Sequence, residues 1–298
     1  MLSQHRADFF QNFGVVFLED LEDTLDRRLI NTLLALGALG TVLPQFAIAN
    51  TSLNRQQVMV NTPDGVADCL LVSPSTGKHP AVIMWPDIKG RREAFDTMGS
   101  RLAAEGYAVL VVNPFYRDVK GAALPDGIEF PAPEARAILS PMRAKLNQDA
   151  VVSDATAFFR FLDEQPNVDS TKQGAVMGYC MSGAFTMYAA AALPDRIGAI
   201  ASYHGGGLAT DKENSPHLTV ADSDALALHA IAENDNERAP NMKPWLTEAY
   251  KQAGIAADVE VYPGTLHGWT PPDSKVYNEK QAEIAWAKTL AMFEKGLV

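Results

Sequence analysis

Cys180 stands in the run Gly178-Tyr179-Cys180-Met181-Ser182-Gly183, with small residues two before it and two and three after it. A nucleophile on a very tight strand-to-helix turn needs this spacing, because nothing larger fits where the chain doubles back. Such a turn lifts the side chain off a sheet and aims the next backbone N–H, that of Met181, at a developing oxyanion. A helix N-terminus behind a thiol also favours its thiolate. A nucleophile of this kind works with a base, and the base with an acid that orients it. Asp235 follows the apolar run 225–231 in Glu233-Asn234-Asp235, and His267 follows the run 259–262 in Gly264-Thr265-Leu266-His267-Gly268. Nucleophile, acid and base thus occur in that chain order, each just past an apolar run. Singly they have plain structural explanations: a buried cysteine packs, and a histidine or aspartate beside glycine or asparagine sits in a turn. Their conjunction predicts a Cys-His-Asp site for nucleophilic catalysis.

The elements that must position these residues follow a strand–helix rhythm from about residue 54. Runs 57–60 and 66–72 predict two strands around the turn Thr62-Pro63-Asp64-Gly65. The uninterrupted apolar runs 81–85 and 107–112 predict strands buried on both faces, and 175–178, 197–203, 225–231 and 259–262 predict further strands. Helices are expected at 92–105, closed by Gly106, and at 146–164, where Val151, Ala155, Phe158 and Leu162 share one stripe. Three more are expected at 181–193, 243–253 and 275–295. The alternation implies an α/β fold, a mostly parallel sheet with helices on both faces and loop-borne chemistry at the strand C-terminal ends. The segment 117–145 is long, Pro-rich and weakly periodic, and reads as a lid or binding loop.

The 298 residues are 47% hydrophobic and 20% charged, a globular balance with enough chain for a sizeable core. A net charge of −11 with no local Lys/Arg cluster disfavours nucleic-acid partners. Cys69 and Cys180 allow at most one disulfide. The six histidines are scattered, with no H-E-x-x-H run or Cys/His cluster, and no G-x-G-x-x-G follows a strand. Neither a metal nor an organic cofactor is expected; the expected partner is a small-molecule ester or lactone. Residues 1–49 read differently. Arg27-Arg28 precede the apolar stretch 29–43, and Ala47-Ile48-Ala49 follows it, which are the parts of an export signal resembling the twin-arginine kind. The stretch is too short and Gly-rich for a stable membrane span. An amphipathic helix packed on the domain is the alternative for this segment. The chain therefore divides into a leader or extension at 1–49 and one domain at 50–298. The protein is expected to be exported or periplasmic if the leader acts, and cytoplasmic otherwise.

On these residues the sequence resembles the dienelactone hydrolase (carboxymethylenebutenolidase) family of the α/β-hydrolase superfamily, over roughly residues 55–296. The resemblance rests on the 178–183 run, on Pro86-Asp87-Ile88-Lys89-Gly90, on Asn113-Pro114-Phe115-Tyr116-Arg117, and on the settings of Asp235 and His267. Cysteine in the elbow is its specific signal, since most relatives with this fold carry serine there. The resemblance implies the α/β-hydrolase fold and a hydrolase that cleaves a lactone or activated carboxylic ester through an acyl-enzyme. It also implies that Asp87, where the family has Glu, pairs with the resting cysteine. Ile88 would give the second oxyanion N–H beside Met181, and Arg117 would bind a substrate carboxylate. Members that act on dienelactone carry a second arginine soon after the histidine; Gly268-Trp269-Thr270-Pro271-Pro272 has none, which opens the substrate to other lactones and esters. His204-Gly205-Gly206-Gly207 mimics a lipase oxyanion motif but follows the nucleophile, and reads as a flexible turn near the site. Two other readings stand beside this one. One is a general carboxylesterase or a prolyl-oligopeptidase-like peptidase on the same fold. The other is a non-catalytic binding or redox-sensing protein built on it.

Overall fold

A computed structural model describes residues 52–298. The leader read at 1–49 lies outside the described residues. The chain enters through a hairpin, β1 (Leu53–Thr62) and β2 (Gly65–Pro74), whose turn pairs Thr62 with Gly65. From there strands and helices alternate: β3 (Ala81–Trp85), α1 (Glu93–Ala104), β4 (Ala108–Val112), α2 (Pro133–Ala144), α3 (Gln148–Asp163), β5 (Gly174–Tyr179), α4 (Gly183–Ala192), β6 (Ile197–Tyr203), β7 (Leu226–Ala232), α5 (Glu233–Arg238), α6 (Met242–Ala253), β8 (Ala257–Tyr262) and α7 (Glu279–Gly296). The strands form one sheet in the order β1-β2-β4-β3-β5-β6-β7-β8. The β1–β2 and β2–β4 pairs are antiparallel, and every pair from β4 to β8 is parallel.

The expected α/β-hydrolase architecture is therefore present, and its burial explains the apolar runs. Every residue of β3, β4, β5 and β6 is buried, because helices cover both sheet faces. Phe95 and Leu102 of α1 pack with Trp286 and Phe293 of α7 on one face. On the other, Phe158 and Leu162 of α3 pack with Phe185 of α4 and Leu246 of α6. Burying side chains of this size contributes roughly 1.5–3 kcal/mol each before entropy is counted. Local caps fix where the helices begin and end. Asn147 accepts the Ala150 N–H at 2.9 Å to start α3, and Gly106 (φ +99°) takes the left-handed turn that releases α1 into β4.

Two elements differ from expectation. The 117–145 segment is not wholly loop: its second half is α2, begun by Pro133 in its first turn. Its sequence hides the helix because only Ala135 and Leu139 are buried, too few for a visible stripe. Asp235 sits within the short helix α5, which has no buried residue and so carries no periodic signal either.

Candidate active site

β5 runs straight into a 3₁₀ turn at Cys180–Ser182, and α4 continues from Gly183. Cys180 has φ +58°, a left-handed conformation that is costly for a residue with a side chain. The surroundings enforce it. A Cβ at Gly178 would lie 2.1 Å from the Ser182 carbonyl oxygen, and one at Gly183 would lie 2.6 Å from the Cα of Gly205. Ser182 Oγ donates to the Pro86 carbonyl at 2.5 Å, tying the elbow to the loop after β3. The 178–183 run is thus a steric requirement of the turn, and it leaves Cys180 half-buried in a cleft.

The loops after β7 and β8 deliver the other two groups. His267 Nε2 lies 3.0 Å from Cys180 Sγ, and its Nδ1 lies 2.6 Å from Asp235 Oδ2. The His267 backbone N–H donates to Asn234 Oδ1 at 2.9 Å, and the Glu233 N–H donates to Thr265 Oγ1 at 3.2 Å, so the two loops are stitched together. Burial works against an imidazolium at His267, but hydrogen bonds and charge from Asp235 and Cys180 outweigh it and push its pKa up to about 10. The other thiol, Cys69, is buried in β2 and pushed by that burial up to about 12. Both cysteines are free, which excludes the disulfide that their number allowed.

The residues carried over from the family resemblance divide. Ile88 lines the cleft of Cys180, and its N–H meets no acceptor among the described residues. Met181 follows Cys180 within the turn. Asp87 lines the same cleft but does not bond the thiol. Arg92 holds its two oxygens at 2.8 and 2.9 Å, and the Lys89 N–H donates to one of them at 2.9 Å. The shorter side chain is drawn to that guanidinium instead. Arg117 corrects the expectation more strongly: it is absent from the lining of the Cys180 cleft. Its two Nη atoms each bond Asp154 at 2.8 Å, its Nη2 reaches Asp64 at 2.6 Å, and Asp154 is fully buried. This arginine neutralises an internal carboxylate, so its fork is not available to a substrate.

Several site residues escaped sequence reasoning. His204 is not in a flexible turn. It is buried at φ +41°, its ring meets that of His267 edge-on at 5.1 Å, and its Nε2 lies 2.9 Å from Thr270 Oγ1. Burial, with His267 adding to it, holds its pKa well below the ordinary range, so it does not compete for the His267 proton. Asp273 and Arg92, bonded at 2.6 and 3.0 Å, close one side of the cleft. Arg143 of α2 lines the other. Only the HGGG run gave any sign of the first of these; the rest are loop or helix charges without motif. Among the described residues no group of three or more His, Cys, Asp or Glu could hold a metal ion, and no helix is long and apolar enough to cross a membrane.

This geometry can be set beside known proteins. The family model described as "Dienelactone hydrolase family" matches residues 67–297. An Escherichia coli K12 protein provisionally named carboxymethylenebutenolidase is 27% identical over 225 residues, covering 74% of this chain and 79% of its own. A Klebsiella pneumoniae crystal structure, provisionally named a dienelactone hydrolase, superposes with a TM-score of 0.71 at 21% identity, covering 82% of this chain and 99% of that one. The acylaminoacyl peptidase of Pyrococcus horikoshii shares the fold at a TM-score of 0.59 and 15% identity, over 84% of this chain and 42% of that one.

Proposed function

The chain belongs to the dienelactone hydrolase family, and from that premise we propose that it cleaves a lactone or activated carboxylic ester through a covalent acyl-enzyme on Cys180. The observation that carries this reading is the continuous chain Cys180–His267–Asp235, at 3.0 and 2.6 Å, on an elbow whose glycines admit no side chain.

His267 Nε2, 3.0 Å from Cys180 Sγ, takes the thiol proton as attack begins, leaving the sulfur as thiolate. The thiolate attacks the acyl carbon. A C–S bond forms, and the carbonyl electron pair moves to oxygen, where the N–H groups of Met181 and Ile88 stabilise it. Collapse expels the alkoxide, which takes the proton from His267 Nε2. In a lactone that alcohol stays tethered to the acyl chain. Acylation removes the thiolate, one of the charges that raised His267, so the imidazole becomes a base. It takes a proton from water, and the resulting hydroxide adds to the thioester. The second collapse releases the acid, and the sulfur recovers its proton from His267. Asp235 orients the ring throughout.

Because thiolate is itself a good leaving group, the chemistry suits enol lactones and aryl esters over amides. A panel of aryl esters, small lactones and peptide amides, run on wild type beside Cys180→Ala, tests the reading. Ester or lactone turnover lost in Cys180→Ala supports it. Strong amide cleavage would favour the peptidase alternative, and no Cys180-dependent hydrolysis would favour a binding role. The leader at 1–49 would place this chemistry outside the cytoplasm; sequencing the mature N-terminus, with a start near residue 50 expected, tests that export.

A further inference from the structure

A cavity of about 210 Å³ lies behind the catalytic elbow and shares no lining residue with the two cavities that reach Cys180. Tyr179 and Tyr203 are register partners at the ends of β5 and β6, and the residues that follow them are Cys180 and His204. Their rings stack with centroids 4.8 Å apart and planes 6° apart, and both are buried at the floor of the cavity. α1 and α7 supply its walls at helical spacing, Met98 and Arg101 from the first and Ala282 and Trp286 from the second. Tyr277, in the loop before α7, forms part of the rim.

Three features of this cavity select an occupant. One is unmet polarity. The Tyr203 hydroxyl is paired with Thr289 Oγ1 at 2.5 Å, but the Tyr179 hydroxyl and the Trp286 indole N–H are buried and make no hydrogen bond among the described residues. A buried donor without an acceptor is costly until something completes it. Another is balanced charge. Arg101 is the one charged residue among the described ones that line the cavity, and Glu283 holds its fork at 2.6 and 2.5 Å while its guanidinium lies 4.3 Å over the Trp286 ring. An anion would have to displace Glu283, so the cavity favours a neutral molecule. The third is size and surface. A cavity of about 150 Å³ holds benzene, so one of about 210 Å³ holds a single ring with a substituent of roughly two or three heavy atoms. Four aromatic residues line it, and aromatic faces and edges pack well on an arene.

We propose that this cavity is a second small-molecule site, which takes a neutral, single-ring aromatic compound bearing a hydrogen-bond acceptor, with the acceptor on the Tyr179 hydroxyl. A ligand seated there touches the residues that precede Cys180 and His204, one layer behind the catalytic cleft and without entering it. The site stands apart from the hydrolase reading, and its test needs no turnover.

The test is isothermal titration calorimetry of the full chain with three probes of similar size. Acetophenone has the ring and the acceptor, cyclohexyl methyl ketone keeps the acceptor without the arene, and benzoate adds a charge. Acetophenone is expected to bind one to one with a Kd on the order of 0.1–1 mM, and the other two at least about tenfold more weakly. Capping Cys180 with iodoacetamide, which obstructs the catalytic cleft, should leave that Kd within about twofold. Tyr179→Phe keeps the ring and removes the donor, and should weaken acetophenone by about three- to tenfold. Ala282→Leu grows a side chain from the α7 wall into the cavity and should abolish binding. If Ala282→Leu does not fold, Tyr277→Ala takes its place: this wall residue is 36% exposed, and its loss should weaken acetophenone at least about threefold. No saturable binding of acetophenone, equal binding of the three probes, or binding lost on capping Cys180 overturns the proposal. So does an unchanged Kd in Tyr179→Phe, or in whichever wall variant folds.

Discussion

Replacing Arg117 with alanine is expected to destabilise the protein rather than to weaken substrate binding. The change strips the two 2.8 Å bonds from Asp154, whose side chain is fully buried, and leaves it only the Tyr116 hydroxyl at 2.6 Å. Burial already pushes the Asp154 carboxyl above its usual range, and the bonds from Arg117 and Tyr116 are what oppose that. Removing one member of a buried pair costs about 3–5 kcal/mol, and the half-exposed limb to Asp64 adds at most about 1 kcal/mol. Against a total stability of about 5–15 kcal/mol, that is a large fraction. At about 2–4 °C per kcal/mol for a domain of this size, the melting temperature should fall by roughly 6–20 °C. Urea unfolding followed by tryptophan fluorescence, together with ester kinetics below the melting point, measures both effects. Adding Asp154→Asn to Arg117→Ala should recover part of the loss, since the stranded charge is then gone. An unchanged unfolding midpoint with KM for carboxylate esters raised about tenfold would instead return Arg117 to the binding site.

Three further outcomes follow from the same geometry. Asp235→Asn should lower kcat on a neutral aryl ester by about 10²- to 10⁴-fold, because His267 loses the carboxylate 2.6 Å from its Nδ1. Unfolding measurements beside the kinetics should show a much smaller effect on stability. Gly178→Ala places a Cβ 2.1 Å from a backbone oxygen, so iodoacetamide titration of Cys180 should slow sharply and stability should fall by at least about 1–3 kcal/mol. Finally, His229 is fully buried against the Tyr250 hydroxyl, and burial lowers its pKa to about 4 from an ordinary 6.5. Between those pH values the unfolded chain binds a proton that the folded one refuses. Stability should therefore be lost as pH falls from about 6.5 to about 4, by on the order of 3 kcal/mol from this group. His204, held neutral in the same way, steepens the slope. Urea titrations across that range should find a shallower fall in His229→Gln.

The eight strands and the elbow could be read from sequence because steric demand wrote them there. Runs such as 81–85 and 108–112 are apolar throughout because both faces are covered, and Gly178 and Gly183 are glycine because a Cβ would strike backbone. The order of Cys180, Asp235 and His267 could be read because strand ends are fixed points of such a sheet. Pairings of charge could not. Nothing in the sequence says that Asp154, in the middle of a helix, turns inward to claim Arg117, or that Arg92 captures Asp87. Those choices depend on three-dimensional neighbours at sequence separations of 37 and 5 residues, and the first has no periodic signal at all. α2 was hidden for a related reason. It lies on the surface and buries only Ala135 and Leu139, too few to write a stripe into the sequence.

If acyl transfer passes through Cys180, the covalent intermediate can be trapped on its sulfur. Wild-type protein mixed with a 4-nitrophenyl ester and quenched in acid within the first turnover should gain the mass of one acyl group. Peptide mapping should place that group in the segment bearing Cys180 and not on the buried Cys69. Cys180→Ala should show neither adduct nor turnover. Full turnover by Cys180→Ala, or a burst of nitrophenol with the acyl group on another residue, would rule out Cys180 as the nucleophile.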